Sequence, residues 1–473
     1  MNNFKQALTN WVKWIATKPH YLFLVAATIF GLLFIFRLAP LNGTDEFTHF
    51  PHEYQISQGM FWEQKLPGAQ YGGYLPNNVN NMINQYRNLS RIPAGQSYQQ
   101  TEASLNHQYS MTSNPGSKKV QAIFTSTVIY PPWAYVPGLI GLIIAKAAKL
   151  PLIWYVYLSR ITCLMVWIGL AFLAIKLMPE PGKWFLVAIA LLPTSLTQAA
   201  TIGGDGLVTG LSWLVISLVL AIAAKKIKPS VPVLIATTAV AIYASLIKDG
   251  YFLLGLLPLA LPMSVFANKI GGYVWKGITF VAVTGSSIWF TLRTVRAVKG
   301  VVLTPIVGEN INSHQQISYM LSHPFAFGLH ELWQPFTKSF DTIYLGIVGI
   351  MTNRLIYLSI MVMFLLFFSL YLGFSYSRKD EQIAIHRWPL VVSFSVVFVL
   401  SYFLLAAAFY IGETSVGATY VNGIYGRYYL PIIPLLLIWP LALKRKKLDH
   451  SLAPAAISII SIIGLIATVM SLG

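Results

Sequence analysis

The sequence predicts an all-α polytopic membrane protein. Of its 473 residues, 56% are hydrophobic and only 10% are charged, whereas soluble domains carry about 25% charged residues. Apolar runs close to the roughly 20 residues that cross a bilayer as a helix recur along the whole chain. Because polar residues concentrate between these runs, we predict one transmembrane domain covering residues 1–473.

The charge balance is strongly basic. The chain has 33 Lys and Arg against 15 Asp and Glu, a formal charge of +18. In a chain this apolar, we attribute the excess to positive cytoplasmic loops, anionic lipid headgroups and a phosphorylated substrate, and we expect no nucleic-acid partner. Cys163 is the one cysteine of the sequence, which excludes an intrachain disulfide and a thiolate metal site.

The predicted spans follow a basic lead of residues 1–18. The first covers about Tyr21 to Leu41 and ends at a long polar loop. The later spans lie at about 152–177, 183–200, 206–225, 231–247, 249–267, 274–293, 354–374, 388–411, 428–443 and 453–472. This makes about 11 transmembrane helices, with the N-terminus inside and the C-terminus outside.

Segment 128–147 decides the orientation of everything after it. Its apolar part is long enough to span, but three prolines crowd its start. If it spanned, the basic clusters at 225–228 and 444–447 would face outside, against the positive-inside bias. We therefore predict a juxtamembrane helix on the outer face, which makes residues 42–151 the first outer loop. Residues 294–353 form the second large outer loop, and shorter outer loops lie at 201–205 and 412–427.

The most polar stretch, residues 42–59, directly follows the first span. Titratable side chains at a bilayer edge are costly unless solvated or paired, so they indicate a site, although a wet interfacial loop is the alternative. Asp45 and Glu46 form a carboxylate pair in which one acid suits a general base and the other raises its pKa.

Two histidines accompany this pair. Asp45, His49 and His52 have the spacing of one helical face, which would suit a divalent cation. Pro51 argues against one continuous helix through all three, and simple hydrogen bonding is the alternative.

Other candidates lie at the outer ends of spans. Asp205 is the one acid of the loop 201–205, although it could merely cap the following helix. Tyr130 belongs to a Tyr-Pro-Pro-Trp segment that suits either a membrane anchor or a sugar or lipid groove. Positive side chains on the outer side run against the positive-inside bias and would suit the phosphate of a substrate headgroup. The alternative is that each side chain snorkels to the phosphate of ordinary lipid. The residues concerned are Arg160, Lys248, Arg293 and Arg427, with Tyr428 beside the last.

These residues resemble, in their order, a large uncharacterised family of bacterial integral-membrane proteins. The motifs are DEFTHFPHEYQISQG at 45–59, Tyr130-Pro131-Pro132, Arg160, PTSLTQAATIGGDG at 193–206, Lys248-Asp249-Gly250-Tyr251, and YGRYYLPIIP at 425–434. That family is similar to the GT-C superfamily, the multi-spanning glycosyltransferases that use polyprenyl-phosphate sugars. Family members usually carry Pro after the acidic pair, where this chain has Phe47.

The resemblance implies a GT-C-like fold and an inverting glycosyltransferase at the outer face of a bacterial cytoplasmic membrane. The implied donor is a polyprenyl-phosphate sugar, and the acceptor is a glycan, teichoic acid or glycolipid of the cell envelope. By position, Asp45 matches the general base, Glu46 its companion, Asp205 the second-loop acid and Arg427 the phosphate ligand.

The remaining candidates for substrate binding are His49, His52, Tyr130, Arg160, Lys248, Arg293 and Tyr428. A divalent cation stays open as a cofactor. The alternatives are an envelope-polysaccharide polymerase or ligase and, from a different class, a lipid-linked-sugar flippase or transporter.

Overall fold

The structure is a computed structural model that describes residues 18–68, 70–89, 97–298, 310–333, 346–351, 355–356, 358–376, 387–442 and 452–472. The first nine α-helices are α1 Pro19–Arg37, α2 Glu46–Ile56, α3 Asn77–Asn88, α4 Tyr98–Met111, α5 Val136–Ala147, α6 Leu152–Leu177, α7 Glu180–Ala190, α8 Pro193–Ala199 and α9 Gly204–Ala223. The next are α10 Val231–Ile247, α11 Lys269–Val298, α12 Ser313–Ser322, α13 Pro324–Trp333, α14 Ile360–Ser375, α15 Arg387–Glu413, α16 Ile438–Ala442 and α17 Ala453–Ser471.

Shorter elements connect these helices. The strands are β1 Gln64–Leu66, β2 Gln70–Pro76, β3 Lys119–Ile123, β4 Ile350–Met351 and β5 Leu355–Ile356. The 3-10 segments are Thr125–Ile129, Pro132–Tyr135, Asp249–Ala260, Met263–Val265, Gly426–Tyr429 and Ile433–Leu437, and Gly346–Val348 forms one helical turn.

Six helices of the described ranges are long and apolar enough to cross a membrane. They are α1, α6, α9, α11, the Trp388–Glu413 part of α15, and α17. The chain therefore has the composition and element pattern of the predicted α-helical multi-pass membrane protein. The number of 11 spans stays a prediction.

Four of the predicted spans are shorter or interrupted. The run 183–200 divides between α7 and α8, because Pro193 starts a new helix where its missing N–H is tolerated. The run 249–267 forms the 3-10 segments Asp249–Ala260 and Met263–Val265 rather than an α-helix, and the run 354–374 is helical from Ile360 onward. The run 428–443 is a 3-10 segment followed by α16, with Pro434 near the segment's start.

Helix α9 lies at the centre of the molecule. Its membrane-length window is fully buried inside the protein, and it packs against α6, α8 and α10. The indole of Trp213 donates a 2.9 Å hydrogen bond to the carbonyl oxygen of Leu430. This contact ties the middle of α9 to the chain that follows Arg427.

The first loop contains a small antiparallel sheet of strand order β1-β2-β3 that the sequence did not predict. Gly72 of β2 pairs with Gln64 of β1 and with Ile123 of β3. A side chain at Gly73 would collide with the amide of Gln55 on α2, so the glycine allows the sheet to lie against that helix. The loop is thus an ordered unit built of strands as well as helices.

Segment 128–147 forms 3-10 turns followed by α5, which packs along α6 and exposes apolar side chains on its other side. Its position relative to the bilayer stays a prediction. Residues 1–17 of the basic lead and the basic run 444–447 lie outside the described residues, as do 299–309 and 334–345 of the second large loop.

Candidate active site

Two ion pairs join distant parts of the chain at one end of α9. Arg427 Nη2 lies 3.1 Å from Asp45 Oδ2, and Lys248 Nζ lies 3.1 Å from Asp205 Oδ1. The two pairs are adjacent, since Arg427 Nε is 3.9 Å from Asp205 Oδ2. The structure therefore brings together four of the sequence-predicted candidates, which come from three of the predicted outer loops and the end of α10. These four residues, with Tyr428 beside Arg427, are called the Arg427 group.

Arg427 is buried, with 3% of its side chain exposed. Its Nη2 atom donates to Asp45 and, at 2.6 Å, to the hydroxyl of Tyr428. Its Nε and Nη1 atoms are buried without a hydrogen-bond partner. Because an unsatisfied buried donor is costly, most of all on a charged group, these two nitrogens are candidate donors to an anion.

Asp45 is the exposed member of the group. Its side chain is 55% exposed, and its backbone is left-handed with φ of 57°. Few residues other than glycine adopt that conformation, and strain of this kind concentrates at functional sites. Asp45 directly precedes α2 but its carboxylate does not cap that helix, so it remains turned toward Arg427 and solvent.

Lys248 forms an ion pair with the second acid, Asp205. Asp205 lies in the first turn of α9, where the helix dipole favours a negative charge. The Lys248 ammonium also lies 4.4 Å from the ring centre of Tyr428 and 5.4 Å from that of Tyr130. Burial acts to lower the pKa of Lys248, but the opposing charges, that of Asp205 first, raise it above its ordinary value. The site thus holds two permanent cations.

His49 forms the inner wall beside these groups. Its ring packs edge-on against Tyr130 at 4.8 Å, and its Nδ1 lies 2.8 Å from the Tyr135 hydroxyl. Burial lowers the pKa of His49 despite the nearby charges of Asp45 and Asp205. His49 is therefore a neutral side chain that shapes the site.

Glu46 and Arg160 lie behind the site as a fully buried ion pair. Arg160 Nε and Nη2 donate to Glu46 at 2.8 and 2.5 Å. The other guanidinium hydrogens go to the carbonyl oxygens of Ile35, Leu38 and Ala39 at the end of α1. With its donors used in this way, Arg160 is better suited to a structural role than to the predicted binding of substrate.

Glu46 also joins two loops. It accepts the backbone N–H groups of Gly43 at 3.1 Å and Ile202 at 3.0 Å. These contacts fix the segments that carry Asp45 and Asp205. The geometry therefore favours a positioning role for Glu46 over direct contact with substrate.

His52 and Arg293 belong to a separate cluster around Glu63. Glu63 lies 3.2 Å from His52 Nδ1 and 3.6 Å from Arg293 Nη2. The Arg293 guanidinium stacks 3.7 Å from the Trp62 ring centre and donates to the carbonyl oxygen of Val128. These two predicted substrate ligands thus lie apart from the Arg427 group and stabilise the first loop.

The predicted metal set of Asp45, His49 and His52 does not form. Within the described ranges, no three His, Cys, Asp or Glu side chains lie close enough together to hold a metal ion. Pro51 does not break α2, which runs continuously from Glu46 to Ile56. Asp45 lies before the helix in a left-handed conformation, so it does not continue the helical face of His49 and His52.

Two acids near this region were given no role from the sequence. Glu413, at the end of α15, acts electrostatically on Asp45 and Arg427, and a side chain at Gly423 would collide with its carboxylate. It is the one acid of the sequence range 412–427, a signal that could have found it. Glu53 is fully buried and accepts a 2.7 Å hydrogen bond from Ser159, which no local pattern predicts.

The chain matches a known protein family over most of its length. The family model described as a predicted membrane protein, DUF2142, matches residues 28–436. The chain belongs to this family. No curated protein and no solved structure matches it. The DUF2142 match includes all the residues of the Arg427 group, from Asp45 to Tyr428.

Proposed function

We propose that this DUF2142 protein is a glycosyltransferase that moves a sugar from a polyprenyl-phosphate donor to an envelope glycan, teichoic acid or glycolipid. The observation that carries the proposal is the pairing of a buried Arg427, whose Nε and Nη1 have no hydrogen-bond partner, with a half-exposed Asp45 carboxylate. A phosphate that leaves and a hydroxyl that is deprotonated require this combination of an anion site and a base.

In the proposed reaction, Asp45 removes the proton of the acceptor hydroxyl. The acceptor oxygen then attacks the anomeric carbon of the sugar, and the bond from that carbon to the phosphate oxygen breaks. The electron pair of this bond passes to the phosphate. Attack from the face opposite the leaving group inverts the anomeric centre.

Arg427 and Lys248 stabilise the charge that develops on the phosphate. Arginine N–H groups that lack a hydrogen-bond partner, here those of Nε and Nη1, can each donate to a phosphate oxygen. Asp205 keeps Lys248 in position, while Glu46 and Arg160 hold the two acid-bearing segments together. Because no three His, Cys, Asp or Glu side chains of the described residues converge as metal ligands, we assign no step to a metal ion.

The test is transfer of labelled sugar from a small panel of polyprenyl-phosphate sugars by the purified full-length protein. We expect Asp45→Asn to lower the transfer rate by roughly 10²–10⁴-fold, the contribution of a general base. We expect Arg427→Gln to lower it by roughly 10²–10³-fold through lost charge stabilisation. Glu102→Gln, the same kind of change elsewhere in the first loop, is the matched control and should keep full activity.

Two outcomes would contradict the proposal in different ways. Transfer that survives in Asp45→Asn would keep the reaction but assign the base to another acid, with Asp205 the next to test. Folded wild-type protein that transfers sugar from no donor of the panel would overturn the proposed reaction and favour a polymerase, ligase or flippase.

A further inference from the structure

Helices α12 and α13 carry an exposed apolar stripe. Its side chains, four residues apart, are Ile317, Leu321, Phe325 and Leu329, with exposed fractions of 43%, 78%, 87% and 68%. Residues spaced by four lie along one side of a helix, so Ile317 and Leu321 share one side of α12, and Phe325 and Leu329 share one side of α13. Exposed apolar side chains grouped in this way mark a contact with another apolar surface.

The opposite side of α12 is fixed to the protein. The buried Gln316 side chain donates to the carbonyl oxygen of Tyr410 at 3.1 Å and accepts from the backbone N–H of Gly417 at 2.9 Å. Leu321 lies five residues further, about 140° around the helix. The helix therefore presents its apolar stripe away from α15 and the chain that leads to Arg427.

The contact of α12 with Tyr410 indicates the depth of the helix pair relative to the bilayer. Tyr410 lies 22 residues after Trp388 on the same helix, which corresponds to about 33 Å of rise. The hydrocarbon core of a bilayer is about 30 Å thick. Along α15, the side chains Val392, Val396 and Leu400 are exposed and apolar, as expected of a lipid-facing stripe. If α15 crosses the bilayer from Trp388, its Tyr410 end reaches the level where the opposite lipid headgroups begin.

We propose that α12 and α13 form an interfacial helix pair whose occupant is the lipid bilayer surface. The apolar stripe of Ile317, Leu321, Phe325 and Leu329 enters the boundary between headgroups and acyl chains, as amphipathic helices do. Through Gln316, this membrane contact also fixes the depth of the segment 414–417, which leads to Arg427. The proposal does not depend on the glycosyltransferase activity.

The test uses the one native cysteine, because Cys163→Ala gives a background for site-directed spin labels. In that background, Leu321→Cys and Phe325→Cys are labelled and reconstituted into phosphatidylethanolamine–phosphatidylglycerol liposomes. Collisions of the label with oxygen and with a water-soluble nickel chelate are then measured. Gln315→Cys, an exposed position on another side of α12, is the matched control.

We expect labels at 321 and 325 to favour oxygen over nickel and the label at 315 to show the reverse. Labels at 321 and 325 as accessible to nickel as the control would overturn the proposal, because the stripe would then face water. Low accessibility to both reagents would also overturn it, because protein, either this chain or a second copy, would then cover the stripe. Each variant is first checked for the thermal melting behaviour of the Cys163→Ala background.

Discussion

At the scale of single residues, two buried arginines differ in how the hydrogen-bond donors of their guanidinium groups are used. Arg160 uses its guanidinium entirely on protein groups, five hydrogen bonds in all. Arg427 is also buried but leaves two nitrogens without a hydrogen-bond partner. A buried cation with satisfied donors stabilises the fold, whereas one with open donors can bind an anion.

Arg160→Met should destabilise the protein strongly. The change leaves the Glu46 carboxylate buried without its cation and removes the donors from three carbonyl oxygens of α1. Breaking a buried pair in this way costs roughly 3–5 kcal/mol. Thermal unfolding in detergent measures the loss, and Arg37→Met, at an exposed position at the end of α1, is the control. Equal melting temperatures for both variants would show that the pair contributes little.

The buried Glu53 should make stability depend on pH. Burial raises the pKa of Glu53 from 4.5 to about 8, so between these values the folded protein keeps a proton that the unfolded chain releases. Stability therefore falls as pH rises through that window. Burial lowers the pKa of His52 from 6.5 to about 3, so His52 opposes this trend only below pH 6.5.

Burial also raises the pKa of Glu63 to about 7, so the window in which Glu53 acts most clearly is pH 7 to 8. We expect the free energy of unfolding of the wild type to fall there by roughly 1 kcal/mol, seen as a lower melting temperature, and Glu53→Gln to remove this decline. Melting curves at a series of pH values measure it, with Glu102→Gln as the control. An unchanged slope in Glu53→Gln would assign the pH dependence to another group.

At the scale of elements, the close approach of α5 to α6 depends on Gly141. A Cβ at this position would collide with the backbone carbonyl of Leu158, which cannot move out of the way as a side chain can. Gly141→Ala should therefore separate the two helices and cost roughly 1–3 kcal/mol, as overpacking does.

Gly169 offers the matched control. It lies within α6, and an added Cβ there meets no atom within 4 Å. Because alanine is the better helix former by up to about 1 kcal/mol, Gly169→Ala should be neutral or stabilising. The comparison is made by thermal unfolding, and equal losses in both variants would contradict the packing argument.

At the scale of the whole molecule, the orientation in the membrane follows from the basic loops. From the positive-inside bias, we predict that the segment 225–228 faces the cytoplasm and that the first loop faces outside. In the Cys163→Ala background, we expect Gln108→Cys in α4 to react with a membrane-impermeant maleimide on intact cells. Lys228→Cys should react only after permeabilisation. The reverse pattern would place Asp45 and Arg427 on the cytoplasmic side.

The amino-acid sequence determined the class of the protein and most of its long helices. Hydrophobic runs of bilayer length are a local property, so α1, α6, α9, α10, α15 and α17 lie close to their predicted positions. Apolar runs that contain prolines or are short were wrongly predicted as single helical spans, because whether such a run continues as an α-helix depends on the helices around it. The strands of the first loop escaped for a similar reason, since pairing is set by partners distant in the chain.

The candidate residues were chosen from composition, predicted side and the family resemblance, and they included Asp45, Asp205, Lys248 and Arg427, which the structure brings together. Only the tertiary structure separated them from Glu46, Arg160, His52 and Arg293, which have similar local sequence features. The physical reason is that the role of a charged group depends on its burial and on whether its hydrogen-bonding atoms already have partners. Both quantities are fixed by contacts across hundreds of residues, such as the pair of Asp45 with Arg427.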